Sequence, residues 1–318
     1  MSWIEKHRNT LKLAILVFAY AYLLYKLITF DNYQLLISQW TKATAERWWW
    51  IMLTLLLLPL NWSLEAMKWR SLVGNLEKLS FAQSLSSVLV GTTTGFFTPN
   101  RLGEYPGRTL LLSDGNRLTA TTMGFVGSAA LTICILMIGI PSSVIFATYH
   151  TTAFSFSHSI YIYFLLSAVV FGVGFFFLPR TARLLLSKKT FGSKSTQLLQ
   201  TLGKVCLRSM LHILLLSLLR YAVFCTQLLA MIHFFGVEIS LWESIVGITA
   251  SYLFVTLTPS VAFAEVAVRG SWAIVFLGAF SANTVGIASA SISLWAINYC
   301  IPMIIGSLVL PSFSSQKK

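Results

Sequence analysis

Apolar runs of about twenty residues, the length that crosses a bilayer as a helix, recur along this chain at 11–29, 48–67, 118–140, 159–178, 210–235 and 284–310. Most are bounded by aromatic or basic residues. Trp48, Trp49 and Trp50 open the second run, and Lys26 near the end of the first is long enough to snorkel to the interface. Only 10% of the 318 residues are charged and 56% are hydrophobic, against roughly 25% charged in a soluble domain. A core this apolar would leave too little polar surface to face water, so the expectation is an all-α, polytopic transmembrane bundle. The basic start (Lys6, Arg8, Lys12) and Ala19-Tyr20-Ala21 resemble a signal peptide with its cleavage box. The apolar run continues beyond them, so an uncleaved first span is expected.

The net charge of +13 is concentrated in particular segments, a topology signal rather than a nucleic-acid footprint. Basic residues occupy the N-terminus, 68–78, 180–208 and the tail Lys317-Lys318. The segment 141–158 carries no Lys, Arg, Asp or Glu, and the turn 238–243 is acidic. The positive-inside rule places the basic segments and both termini in the cytoplasm and the other two outside. These assignments conflict if every apolar stretch crosses, giving eight to ten spans. They agree if 81–117 and 241–280 are re-entrant hairpins, entered from opposite sides, beside about six full spans. The chain then reads as one membrane domain holding an inverted-topology repeat, with halves at about 48–178 and 210–310, an architecture common among transporters. Segment 81–97 supports this: its serines, threonines and glycines suit a helix packed inside protein.

The two hairpin tips share a pattern. Thr98-Pro99 is followed by Arg101, Glu104 and Arg108; Thr258-Pro259 is followed by Glu265 and Arg269. Thr favours the N-cap and Pro the first helical position, so each Thr-Pro is expected to start a half-helix whose positive end faces the membrane interior and attracts phosphate or carboxylate. Glu before Arg at i,i+4 is the favourable order for a pair on one helix face, although Pro106 between Glu104 and Arg108 argues against a regular helix there. Charges deep in a bilayer cost at least roughly 2.5–3.5 kcal/mol each unless paired or hydrated. Two related sets in corresponding places therefore read as a functional cavity, though taken singly each could be an interfacial loop charge. Arg220, inside an apolar run, is a further candidate for it. Glu65 and Lys68, near the end of the second run, either pair with each other or mark the interface, and the interface is the favoured reading.

No cofactor is implied. Cys134, Cys206, Cys225 and Cys300 form no C-x-x-C pair, His212 and His233 lack metal spacing, and Gly192-Ser193-Lys194-Ser195 lacks the leading glycine of a P-loop.

The run Leu64-Glu65-Ala66-Met67-Lys68-Trp69-Arg70, with Phe97-Thr98-Pro99-Asn100-Arg101-Leu102-Gly103-Glu104 and Arg108, resembles the lysylphosphatidylglycerol synthase transmembrane-region family, the flippase-like membrane domain of the multiple peptide resistance factor. The resemblance covers about 51–310. The family's second half usually carries Thr-Pro-Gly-Gly and a glutamate. Here Thr258-Pro259 and Glu265 match, while Ser260-Val261-Ala262 replaces the glycines. The resemblance implies a bacterial or archaeal inner (plasma) membrane protein that moves or handles a lipid, without the soluble aminoacyl-transferase domain of the full synthase. The leading expectation is a lipid translocase for a phospholipid or polyprenyl-phosphate-linked headgroup, held by Thr98, Pro99, Arg101, Glu104, Arg108, Arg220, Thr258, Pro259, Glu265 and Arg269. The alternatives are a membrane-embedded lipid-modifying transferase with Glu104 as base, or a non-catalytic partner of a soluble lipid-modifying enzyme. A homo-oligomer is also open.

Overall fold

A computed structural model of the chain describes residues 33–96, 98–149, 158–188, 192–260 and 262–309. Two compact units divide near residue 45, and the packing and site described below lie in the larger one, Glu46–Lys318. All regular structure among the described residues is helical. In chain order the helices are α1 (Tyr33–Val73), α2 (Phe81–Phe96), a one-turn α3 (Glu104–Arg108), α4 (Arg117–Tyr149), α5 (His158–Lys188), α6 (Ser193–Gly203), α7 (Leu207–Phe234), α8 (Leu241–Leu257), α9 (Ala262–Leu277), α10 (Thr284–Trp295) and α11 (Ile301–Val309). A π-helical turn, Ala296–Cys300, joins α10 to α11.

Five segments are long and apolar enough to cross a membrane: Ala43–Val73, Asp114–Tyr149, Val169–Ser187, Leu207–Phe234 and Thr284–Val309. They overlap five of the six expected spans, with Val169–Ser187 shifted toward the C-terminus of the expected 159–178; the sixth, 11–29, lies outside the described residues. Leu165, Leu166, Val170, Phe171 and Phe177 on α5 are exposed, which lipid accommodates and water does not. The chain is a polytopic helical membrane protein.

Between the spans lie shorter helices. α2, α8 and α9 have 16, 17 and 16 residues, about 24–26 Å at 1.5 Å per residue and short of a ≈ 30 Å hydrocarbon core. α2 is buried along most of its length, including Ser84, Ser87, Thr92 and Thr93, as its small and polar residues suggest.

The sequence expectations need four corrections. The charge-free segment 141–158 is not a loop throughout, because α4 runs on through Pro141 to Tyr149. The two hairpins also differ: the first returns through α3 and three short 3₁₀ turns, the second through the full-length α9. Nor does either threonine start a helix as an N-cap. Thr258 is instead the C-cap of α8, at φ −96° and ψ 108°, the extended geometry that a following proline imposes; α9 begins at Ala262. Thr98 precedes a 3₁₀ turn, Pro99–Arg101, and its hydroxyl accepts from the Gly103 amide at 2.7 Å, so it serves the start of α3 from outside. Finally, Pro106 does not prevent a helical turn at Glu104–Arg108. It sits in the first turn, where a missing N–H breaks no helical bond.

Candidate functional site

The site is built on one face of α1. Thr54, Asn61, Glu65 and Lys68 recur at intervals of seven, four and three residues, and all are at most 2% exposed. That spacing puts them on a single helical stripe. Glu65 is the centre: Oε1 accepts from Arg108 Nη1 at 2.6 Å, and Oε2 meets Lys68 Nζ at 2.7 Å and Arg220 Nη1 at 2.5 Å. Lys68 follows by i,i+3 on α1, Arg220 comes from α7 and Arg108 from α3. Glu65 and Lys68 thus pair with each other, the less favoured of the two sequence readings, and lie buried at the centre of the network. Their i,i+3 spacing marked only that the two could pair.

Neutral polar groups extend the network. Arg220 Nε donates to Asn61 Oδ1 at 2.8 Å, and Asn61 Nδ2 to Asn298 Oδ1 at 2.7 Å. Asn298 Nδ2 donates to Gln227 Oε1 at 3.1 Å, and Gln227 Nε2 to the Thr54 carbonyl at 3.0 Å. The π-helical turn supplies Asn298 and Tyr299. Pro302 cannot donate to the Asn298 carbonyl four residues before it, and a wider turn absorbs that mismatch.

The first tip joins through Arg108, which also pairs with Glu104. This position depends on glycine. A Cβ on Gly91 would lie 2.8 Å from the Glu104 carbonyl, and one on Gly95 would lie 2.8 Å from Glu104 Cβ, so α3 packs this closely on α2 only because both side chains are absent. Arg101 Nε lies 3.9 Å from Glu104 Oε2, and its guanidinium sits 3.9 Å from the Tyr299 ring centre.

The second tip joins at the same tyrosine. Arg269 donates to Glu265 Oε1 through Nε at 2.9 Å and Nη2 at 2.7 Å, and to Tyr299 Oη at 3.1 Å. The tips also touch directly: the Asn100 amide donates to the Ser260 carbonyl at 2.9 Å and the Ser260 amide to Asn100 Oδ1 at 2.8 Å. Arg101, Glu104, Arg108, Arg220, Glu265 and Arg269 therefore belong to one connected set. Thr98 and Thr258 stand behind it as turn-forming residues; Thr258 Oγ1 accepts from Trp272 Nε1 at 3.0 Å. Pro99 and Pro259 set the backbone breaks. Asn61, Gln227, Asn298, Tyr299, Asn100 and Ser260 were not singled out from the sequence.

A family model for the lysylphosphatidylglycerol synthase TM region matches residues 9–309. The chain belongs to that family. Comparison with curated proteins and with solved structures returned no match. In this lysylphosphatidylglycerol synthase TM-region protein, three carboxylates (Glu65, Glu104, Glu265) face five cations (Lys68, Arg101, Arg108, Arg220, Arg269) within one network. With all ionised, a surplus of two positive charges remains. Among the described residues, the buried Arg101 Nη2 and Arg108 Nε have no hydrogen-bond partner, an arrangement suited to an oxyanion. A cavity of ≈ 20 Å³, about one water in size, lies against Arg269, Asn298 and Tyr299. No cluster of three or more His, Cys, Asp or Glu is placed to hold a metal among the described residues.

Proposed function

We propose that this chain is a lipid translocase, which passes the phosphate-bearing headgroup of a phospholipid or lipid-linked molecule between leaflets along the network joining the two hairpin tips. The observation that carries the reading is the surplus of cations, with free guanidinium donors, where the two tips meet. Charge is costly inside a bilayer, so a retained positive excess points to an anionic cargo. Family membership supports a lipid-related role. In this reading 81–117 and 241–280 are re-entrant, since α2, α8 and α9 are shorter than a span. They belong to two inverted halves, at about 48–178 and 210–310, and exchange follows rocking of one half against the other. Basic segments 68–78 and 180–208 face the cytoplasm together with both termini, in a plasma membrane.

The test is reconstitution. Purified protein in liposomes carrying a headgroup-labelled fluorescent phospholipid should make inner-leaflet label accessible to an impermeant quencher faster than empty liposomes do. No acceleration, for anionic and zwitterionic lipids alike, would overturn the reading. Recovery of a chemically altered lipid would replace translocation with a transferase.

A further inference from the structure

A second site lies apart from the network, sharing no residue with it. The C-terminal half of α5, the turn after α6 and the first turn of α7 enclose an open groove of ≈ 560 Å³. Its apolar wall is Phe176 and Phe177 from α5 with Leu207 and Met210 from α7, and its cations are Arg180, Arg183 and Lys204. No acid lines it, and none occurs between Arg180 and Arg208.

The geometry points to a binding site for one anionic phospholipid, its phosphodiester on Arg180, Arg183 and Lys204 and its acyl chain along Phe176, Phe177, Leu207 and Met210. Three observations converge. The cations form no ion pair among the described residues, so their charge is available. Arg183 Nε is anchored to the Pro179 carbonyl at 3.3 Å, and its side chain packs on Gly203, where a Cβ would lie 2.9 Å from Arg183 Cγ. The guanidinium is therefore held at the groove instead of sweeping freely over the surface. The apolar wall continues onto the outer faces of two candidate spans, Val169–Ser187 and Leu207–Phe234, where Phe177 is 47% and Leu207 63% exposed. A soluble anion would use the cations but leave that wall empty. A lipid uses both, since anionic headgroups gather at juxtamembrane basic clusters while acyl chains remove apolar surface from water.

Detergent-purified protein, examined by native mass spectrometry with phosphatidylserine or phosphatidylcholine added, tests the assignment. Phosphatidylserine should be retained at least roughly tenfold better than phosphatidylcholine, and the preference should persist in Arg108→Ala, which disables the headgroup network. Added to Arg108→Ala, the triple change Arg180→Gln, Arg183→Gln, Lys204→Gln should abolish it. Because that variant could misfold, Phe177→Ser with Leu207→Ser provides a second route: cations intact, lipid retention reduced. Equal retention of the two lipids, retention unchanged in both variants, or full displacement by millimolar inorganic phosphate would overturn the proposal. A preference lost in Arg108→Ala alone would assign the bound lipid to the network instead.

Discussion

Asn100 and Ser260, 160 residues apart, hydrogen-bond to each other twice, with each amide donating to the other residue. Asn100 adopts φ 48°, a left-handed conformation that asparagine tolerates better than most residues. Its side chain and backbone therefore contribute separately. Asn100→Gly should remove the side-chain bond alone and lower stability by about 1 kcal/mol. Asn100→Ala should lose about a further 1 kcal/mol to backbone strain. Thermal unfolding in detergent reads both, and a wild-type midpoint for the alanine variant would show that this clasp holds nothing.

Glu65 satisfies three cations at once. Glu65→Gln should therefore destabilise the protein by about 3–5 kcal/mol, since removing one partner leaves buried charge unpaired. Combining Glu65→Leu with Arg220→Met should recover part of the loss suffered by Glu65→Leu alone, because one stranded cation leaves with its partner. Calorimetry of the purified variants measures this, and a pair of changes that only adds losses would contradict a shared centre.

The spans were legible because hydropathy over about twenty residues reports the solvent outside the protein, and that signal needs no tertiary information. The pairs Glu104–Arg108 and Glu265–Arg269 were legible because they are local. The centre was not. Glu65 acquires its meaning from Arg220, 155 residues later, and Asn61 from Asn298, 237 residues later; beside α1 alone both resemble ordinary polar residues near a helix end. The threonines misled because Thr-Pro satisfies the N-cap pattern locally, while the extended geometry imposed by Pro259 makes Thr258 the end of a helix. Tyr299, which receives an arginine from each tip, sits in an apolar run with no pattern to mark it.

Arg108 and Arg269 belong to different hairpins yet meet the same network through Glu104, Arg101 and Tyr299. Arg108→Ala and Arg269→Ala should each slow lipid exchange in liposomes roughly tenfold or more, a loss of at least about 1.4 kcal/mol. The double variant should be clearly less impaired than the product of the two, because the first change already breaks the shared site. Strict multiplication of the losses would mean two independent sites.

Topology is open to a direct check with single thiols. Cys206 is exposed beside the basic segment, and Tyr149 is 74% exposed at the end of α4. In a chain whose other cysteines are replaced, Cys206 should resist an impermeant maleimide added to intact cells. A Tyr149→Cys protein lacking Cys206 should react. Labelling in the reverse order would invert the assigned orientation.

The stripe on α1 also bears on how the chain is made. Glu65 and Lys68 are made together and pair on α1, but the last cation of the centre, Arg220, follows Glu65 by 155 residues. At bacterial or eukaryotic elongation speeds that is roughly 8–30 s, during which a carboxylate and an ammonium must be sheltered by each other, by water, or by the insertion machinery. Only when α7 is made does the centre acquire its last cation, so the Glu65 cluster is completed by a helix far downstream of the one that carries it.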